Sequence, residues 1–157
     1  MLEEIQRTAE FFASWLVKKF DSKTVAEFKI TLENDLISRF KNHWYPSNPL
    51  RGQAFRSILL DGVQTDPILM DIATRMGMDL VDFESCLPRH CVVFCDPFRV
   101  VCKDLQAREN SYHVIYTGNN RSSTSVVVES EQSPLLKTME QQNKESISKG
   151  VLIVSSN

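Results

Sequence analysis

The hydrophobic pattern of this chain changes period once, and that change governs which folds it can reach. Through residue 40 the apolar side chains recur every three or four positions. Ile5, Ala9, Phe12, Leu16 and Phe20 form one stripe, and Val25, Phe28, Leu32, Leu36 and Phe40 form a second. Such spacing collects each set on one face of an α-helix. After residue 90 the pattern turns strand-like. Residues 91–94, 99–105 and 112–116 are rich in Val, Ile, Phe and Tyr and are separated by the turn formers Asp96, Pro97, Asn110 and Ser111. With a further run at 55–60, the pattern predicts about four short strands. Helices gathered early and strands gathered late predict an α+β fold, the helices packed on an antiparallel sheet.

Local signals place the boundaries. Asp21 or Ser22 is suited to capping the second helix, and Pro46 and Pro49 end it, because proline cannot continue a helix interior. Asp66 and Pro67 read as N-cap and first helical residue of a third helix carrying Ile68, Leu69, Ile72, Ala73 and Met76 up to Gly77. Asp79 caps a short fourth helix with Leu80, Phe83 and Leu87, closed by Pro88. One domain is predicted over residues 1–118. Beyond it the composition shifts to Asn and Ser, which predicts a disordered tail over 119–157 with apolar islands at 126–128 and 151–154.

Charge and cysteine usage narrow the chemistry. A net charge of −2 gives no general attraction to phosphate backbones, and no run of Lys and Arg compensates, so direct nucleic-acid binding is not expected. No segment approaches the roughly 20 apolar residues that cross a bilayer. The start of the chain lacks the pattern of a signal peptide, so Cys86, Cys91, Cys95 and Cys102 read as reduced thiols in an intracellular protein. They form no Cys-x-x-Cys pair, and neither metal nor cofactor is expected. Cys86, His90, Cys91 and Asp96 crowd together in sequence, but crowding does not orient a base toward a nucleophile. A non-enzymatic protein is the expectation.

What remains are two boxes of aromatics and prolines. The first holds His43, Trp44, Tyr45 and Pro46, then Gly52, Gln53, Ala54, Phe55 and Arg56; the second holds Leu87 and Pro88, then Phe94, Cys95, Asp96, Pro97 and Phe98. Large rings on a backbone constrained by proline suit display as well as packing. Phe55 and Phe94 fit either role equally on these grounds, whereas Trp44, at a helix end, reads as structural.

The boxes resemble the two signature boxes of the BTG/Tob antiproliferative family, and the resemblance runs over residues 5–117. The wording at Gly52–Phe55 and at Asp96–Phe98 is similar to the oocyte and germ-cell branch. The resemblance implies a non-enzymatic adaptor, cytoplasmic and nuclear, that binds the catalytic deadenylase subunit of the cytoplasmic Not-scaffolded complex. It would thereby promote poly(A) shortening and restrain proliferation and the cell cycle. It implies partner contacts at Phe55, Phe94 and Asp96, continuing into Pro97 and Phe98, and structural roles for His43, Trp44, Tyr45, Pro46, Gly52, Leu87 and Pro88. Three positions depart from the family pattern: Phe94 replaces a usual Trp, Arg99 a common acid, and Leu59 a usual base. A nuclear transcriptional co-regulator, or a module that associates with itself through the same patch, is the alternative reading.

Overall fold

A computed structural model describes residues 1–107 and 111–119. The expected tail, apart from Asn119, and both apolar islands lie outside the described residues. Four helices, α1 (Leu2–Leu16), α2 (Ser22–Phe40), α3 (Pro67–Arg75) and α4 (Leu80–Cys86), accompany four strands, β1 (Ser57–Leu60), β2 (Cys91–Asp96), β3 (Arg99–Asp104) and β4 (Tyr112–Thr117). The strands form an antiparallel sheet in the order β1-β2-β3-β4. The α+β architecture expected from the change of period is the observed one.

Both helical stripes turn inward. Ile5, Ala9, Phe12 and Leu16 of α1 and Phe28, Leu32, Leu36 and Phe40 of α2 are all buried. Removing each of these large side chains from water contributes roughly 1.5–3 kcal/mol. Phe20 falls just beyond α1, in the turn before α2. The caps lie where the local signals place them. Asp21 accepts the backbone N–H groups of Lys23 and Thr24, Asp66 that of Ile68, and Asp79 that of Asp82.

The sheet has two unlike faces. On β2, Cys91, Val93 and Cys95 point into the core, where α1 packs across β2, β3 and β4. The intervening residues Val92, Phe94 and Asp96 belong to the other face, since side chains alternate along a strand. Register carries this division across the sheet. Phe94 lies opposite Ser57 of β1 and Val101 of β3, and Val101 lies opposite Val114 of β4.

One strand starts later than expected. Residues 53–56 form a 3₁₀ turn, and β1 begins at Ser57 rather than at Phe55. Gly52, at φ 75°, turns the chain here, and the Phe55 N–H donates back to the Gly52 carbonyl at 3.0 Å, a local bond that an extended start would lack. The free edge of β1 is also closed. Asp66 accepts the Leu59 N–H at 3.4 Å and donates its own N–H to the Leu59 carbonyl at 2.9 Å. Arg39 donates to the Ser57 carbonyl at 3.1 Å and to Asp66 at 3.1 Å.

Candidate functional site

The two boxes, more than thirty residues apart in sequence, are one structure in space, and Arg56 joins them. A guanidinium has five N–H donors, and all are used here. Nε donates to the Cys95 carbonyl at 3.1 Å, Nη1 to the Arg51 carbonyl at 2.7 Å and to that of His43, and Nη2 to Asp96 Oδ1 at 2.7 Å and to the Pro49 carbonyl. The group also lies over the Trp44 ring, 5.6 Å from its centre. Trp44 in turn stacks on Phe40 at the end of α2.

The remaining first-box residues shape this loop. The Tyr45 hydroxyl donates to the Asn42 carbonyl at 2.9 Å, and its ring lies under the Arg51 guanidinium. Pro46 sits exposed at the turn. Gly52 has φ 75°, and a Cβ there would stand 3.1 Å from the His43 carbonyl oxygen and 3.2 Å from Arg56 Nη1. Only glycine takes that conformation readily in so tight a place. Leu87 and Pro88 are buried behind β2.

Asp96 departs from its expected role. As a partner contact it should present a free carboxylate, but it is only 9% exposed. One oxygen is held by Arg56 and the other accepts from the side chain of Gln53. The reason is electrostatic: a fully buried guanidinium requires a nearby negative charge, and Asp96 is the carboxylate within reach. Pro97 is buried beside it, and Phe98 is half-buried. These two residues make the turn between β2 and β3, with Phe98 at φ 67°. Holding a bulky residue there costs about 1 kcal/mol or more. The turn is fastened by Glu4 of α1, which accepts the Phe98 N–H at 2.9 Å. Burial opposes the charged form of Glu4, but hydrogen bonds from the Met1 amino group and the Phe98 N–H outweigh it and hold the carboxyl below its ordinary value.

The two phenylalanines are placed differently. Phe55 is 56% exposed. Its ring stacks flat on His43, with centroids 3.8 Å apart and planes 8° apart, and its carbonyl accepts from Arg39 Nε at 3.0 Å. Phe55 is therefore stacked on one face and open on the other. Phe94, half-buried, rises from the outward face of β2 opposite Ser57, two residues downstream of Phe55. Adjacent segments thus carry both rings.

The crowded thiols do other work. Burial pushes the Cys95 thiol up to about 12, and a hydrogen bond to Cys102 together with burial pushes the Cys91 thiol upward as well. Both are protonated core residues, in a state opposite to that of an activated nucleophile. His90 Nδ1 is 2.7 Å from the Asp61 carbonyl, and Asp96 belongs to Arg56. Among the described residues no three His, Cys, Asp or Glu side chains are placed to hold a metal ion. A cavity of about 160 Å³ beside the 61–65 turn is smaller than ordinary ligand sites and contains neither Phe55 nor Phe94.

Three participants escape a reading of the sequence. Arg56 and Gln53 are visible there only as box residues beside Phe55, and Arg39 is hidden in the helical pattern of α2. Asp66 is legible as a cap, but not as the clamp on β1.

An exposed Phe55 and a half-buried Phe94 thus stand on adjacent segments of a small α+β domain. The chain belongs to the BTG family, whose profile matches residues 1–116. It is 35% identical to human protein Tob1 over 97 residues, which is 62% of this chain and 28% of that protein. It is 35% identical to the Xenopus laevis maternal B9.10 protein over 107 residues, 66% of this chain and 44% of the relative, and 34% identical to human protein BTG4 over 107 residues, 66% and 47%. The chain thus spans less than half the length of these relatives. A doubly substituted form of the BTG/Tob domain of C. elegans FOG-3, known as a solved structure, has the same fold, with a TM-score of 0.68 and 23% identity over 76% of this chain and 92% of that one.

Proposed function

We propose that this chain is a non-enzymatic adaptor that binds the catalytic deadenylase subunit of the cytoplasmic Not-scaffolded complex through Phe55 and Phe94. In that role it promotes mRNA poly(A) shortening and restrains proliferation, acting in the cytoplasm and the nucleus. Family membership supports an antiproliferative, adaptor-like role. The observation that carries the docking surface is the pairing of Phe55, stacked on His43 with its outer face open, with Phe94 on the adjacent strand. A few aromatic anchors of this kind supply most of the energy of an interface. Asp96 contributes indirectly, by holding Arg56 and thus the relation between the two rings.

Titration of the full chain against the purified deadenylase subunit tests the proposal. Wild type binds, and Phe55→Ala and Phe94→Ala each weaken binding by about thirtyfold, as loss of a hot-spot ring does. A wild-type chain with no measurable affinity, confirmed as a folded monomer by light scattering, removes the reading.

A further inference from the structure

The outward face of the sheet extends well past Phe94. Phe94, Val101 and Val114 lie in register across β2, β3 and β4. Leu59 on β1 and Tyr112 and Val114 on β4 remain between 41% and 47% exposed. The apolar row runs across β2, β3 and β4, with Val101 only 6% exposed at its middle and Ser57 opposite Phe94 on β1.

The charges on this face that lack an ion-pair partner among the described residues have one sign. Arg99 and Lys103 of β3 share the face of Val101, by the alternation of the strand. Among the described residues neither forms an ion pair. The Lys103 amine rests over the Tyr112 ring, 5.6 Å from its centre. The carboxylate on the same face, Asp96, is neutralised by Arg56. An occupant of this face therefore meets an apolar centre beside two cations.

We propose that the outward face, along Phe94, Val101 and Val114, seats an apolar segment of the partner protein whose rim carries carboxylates opposite Arg99 and Lys103. This inference rests on the reading of the chain as a deadenylase-subunit adaptor, and it specifies the chemistry of the surface that subunit must present. Complementary rim charges raise the rate of encounter and select the partner, while the apolar row supplies the buried area. A second copy docked face to face would bring Arg99 and Lys103 toward their own counterparts, a like-charge arrangement that disfavours the pair. Single-stranded nucleic acid is the poorer fit. The centre of the row is aliphatic, Phe94 is a single half-buried ring at one end, and Lys103 already covers Tyr112, so successive bases find no run of rings to stack on.

The test is calorimetric titration of the full chain with the purified deadenylase subunit at low and high salt. Arg99→Glu combined with Lys103→Glu changes residues on the solvent side of the sheet, and Val114→Ser changes a residue that is 47% exposed, so the variants keep the fold. The charge reversal is expected to weaken binding at least about tenfold at low salt, with the difference fading at high salt as screening shortens the reach of the charges. Val114→Ser is expected to weaken binding about fivefold at either salt, by removal of apolar contact. Charge reversal that leaves affinity within about twofold, or tightens it, while Phe94→Ala still weakens it overturns the inference and leaves the adaptor reading in place. Absence of binding by wild type overturns both. Two further outcomes overturn the inference alone: binding of a single-stranded oligoadenylate that is lost on charge reversal, or a dimer in sedimentation that Val114→Ser dissolves.

Discussion

Phe94 and Asp96 leave the same strand on the same side, separated only by Cys95, and they belong to two different regions. Asp96 ends in the junction around Arg56, where every donor of a buried guanidinium has found an acceptor. Phe94 opens onto the outward face of the sheet, beside aliphatic neighbours and the cations of β3. The junction is closed and satisfied; the face is apolar and reaches solvent at Phe94 and Val114. The box residues that look polar are therefore bound into the fold, while Phe94, which looks like core, stays half-exposed.

The comparison breaks most readily at the junction. Asp96→Ala leaves the Arg56 charge buried without its partner, at a cost of about 3–5 kcal/mol. In a domain of this size the melting temperature is expected to fall by roughly 10 °C or more in a thermal scan. A shift of only a few degrees would show that Arg56 tolerates the loss and that the junction is not what joins the boxes. On the open face, Phe94→Ala is expected to remove about 2 kcal/mol of binding to the deadenylase subunit while moving the melting temperature by less than about 5 °C. A loss of stability as large as that of Asp96→Ala would place Phe94 in the core and erase the distinction. Arg39→Ala sharpens it at the edge of β1, where the carbonyls of Phe55 and Ser57 lose a donor. The expected cost is about 1–2 kcal/mol, with faster hydrogen exchange at the Leu59 N–H.

The smallest effect concerns pH. His113 faces the core opposite Cys102, and burial lowers its pKa below the ordinary 6.5. Its neutral form is the one the fold accommodates, so the unfolded chain binds the proton more readily. The stability it contributes is complete above pH 6.5 and declines as pH falls toward the lowered value. Melting curves at about pH 7.5 and about pH 5.5 are expected to separate less for His113→Gln than for wild type. Equal separation would assign the acid sensitivity to other groups.

Much of this fold is legible in local sequence, because its determinants are local. The stripe from Ile5 to Leu16 and that from Val25 to Phe40 specify their helices by spacing, and Asp21, Asp66 and Asp79 mark helix starts through bonds to residues a few positions away. The aromatic anchors are legible as residues but not as surfaces, since Phe55 and Phe94 fit core and interface equally until the sheet faces are known. Arg56 is not legible. Its acceptors are carbonyls of His43, Pro49, Arg51 and Cys95, which converge only once β1 pairs with β2. A pattern of residue types carries no trace of where backbone oxygens will meet. The same holds for Asp96, whose short side chain before a proline resembles a turn former whatever it binds.

The bond between Glu4 and the Phe98 N–H spans 94 positions of chain. The β2–β3 hairpin can zip by local contacts, but its left-handed turn is pinned only after α1 has docked. During synthesis α1 can pack on α2 early, but Glu4 must wait for nearly the whole domain to emerge before it can set the second box. The second box is consequently completed late, and a chain stalled before residue 98 would hold the first box without a finished second one.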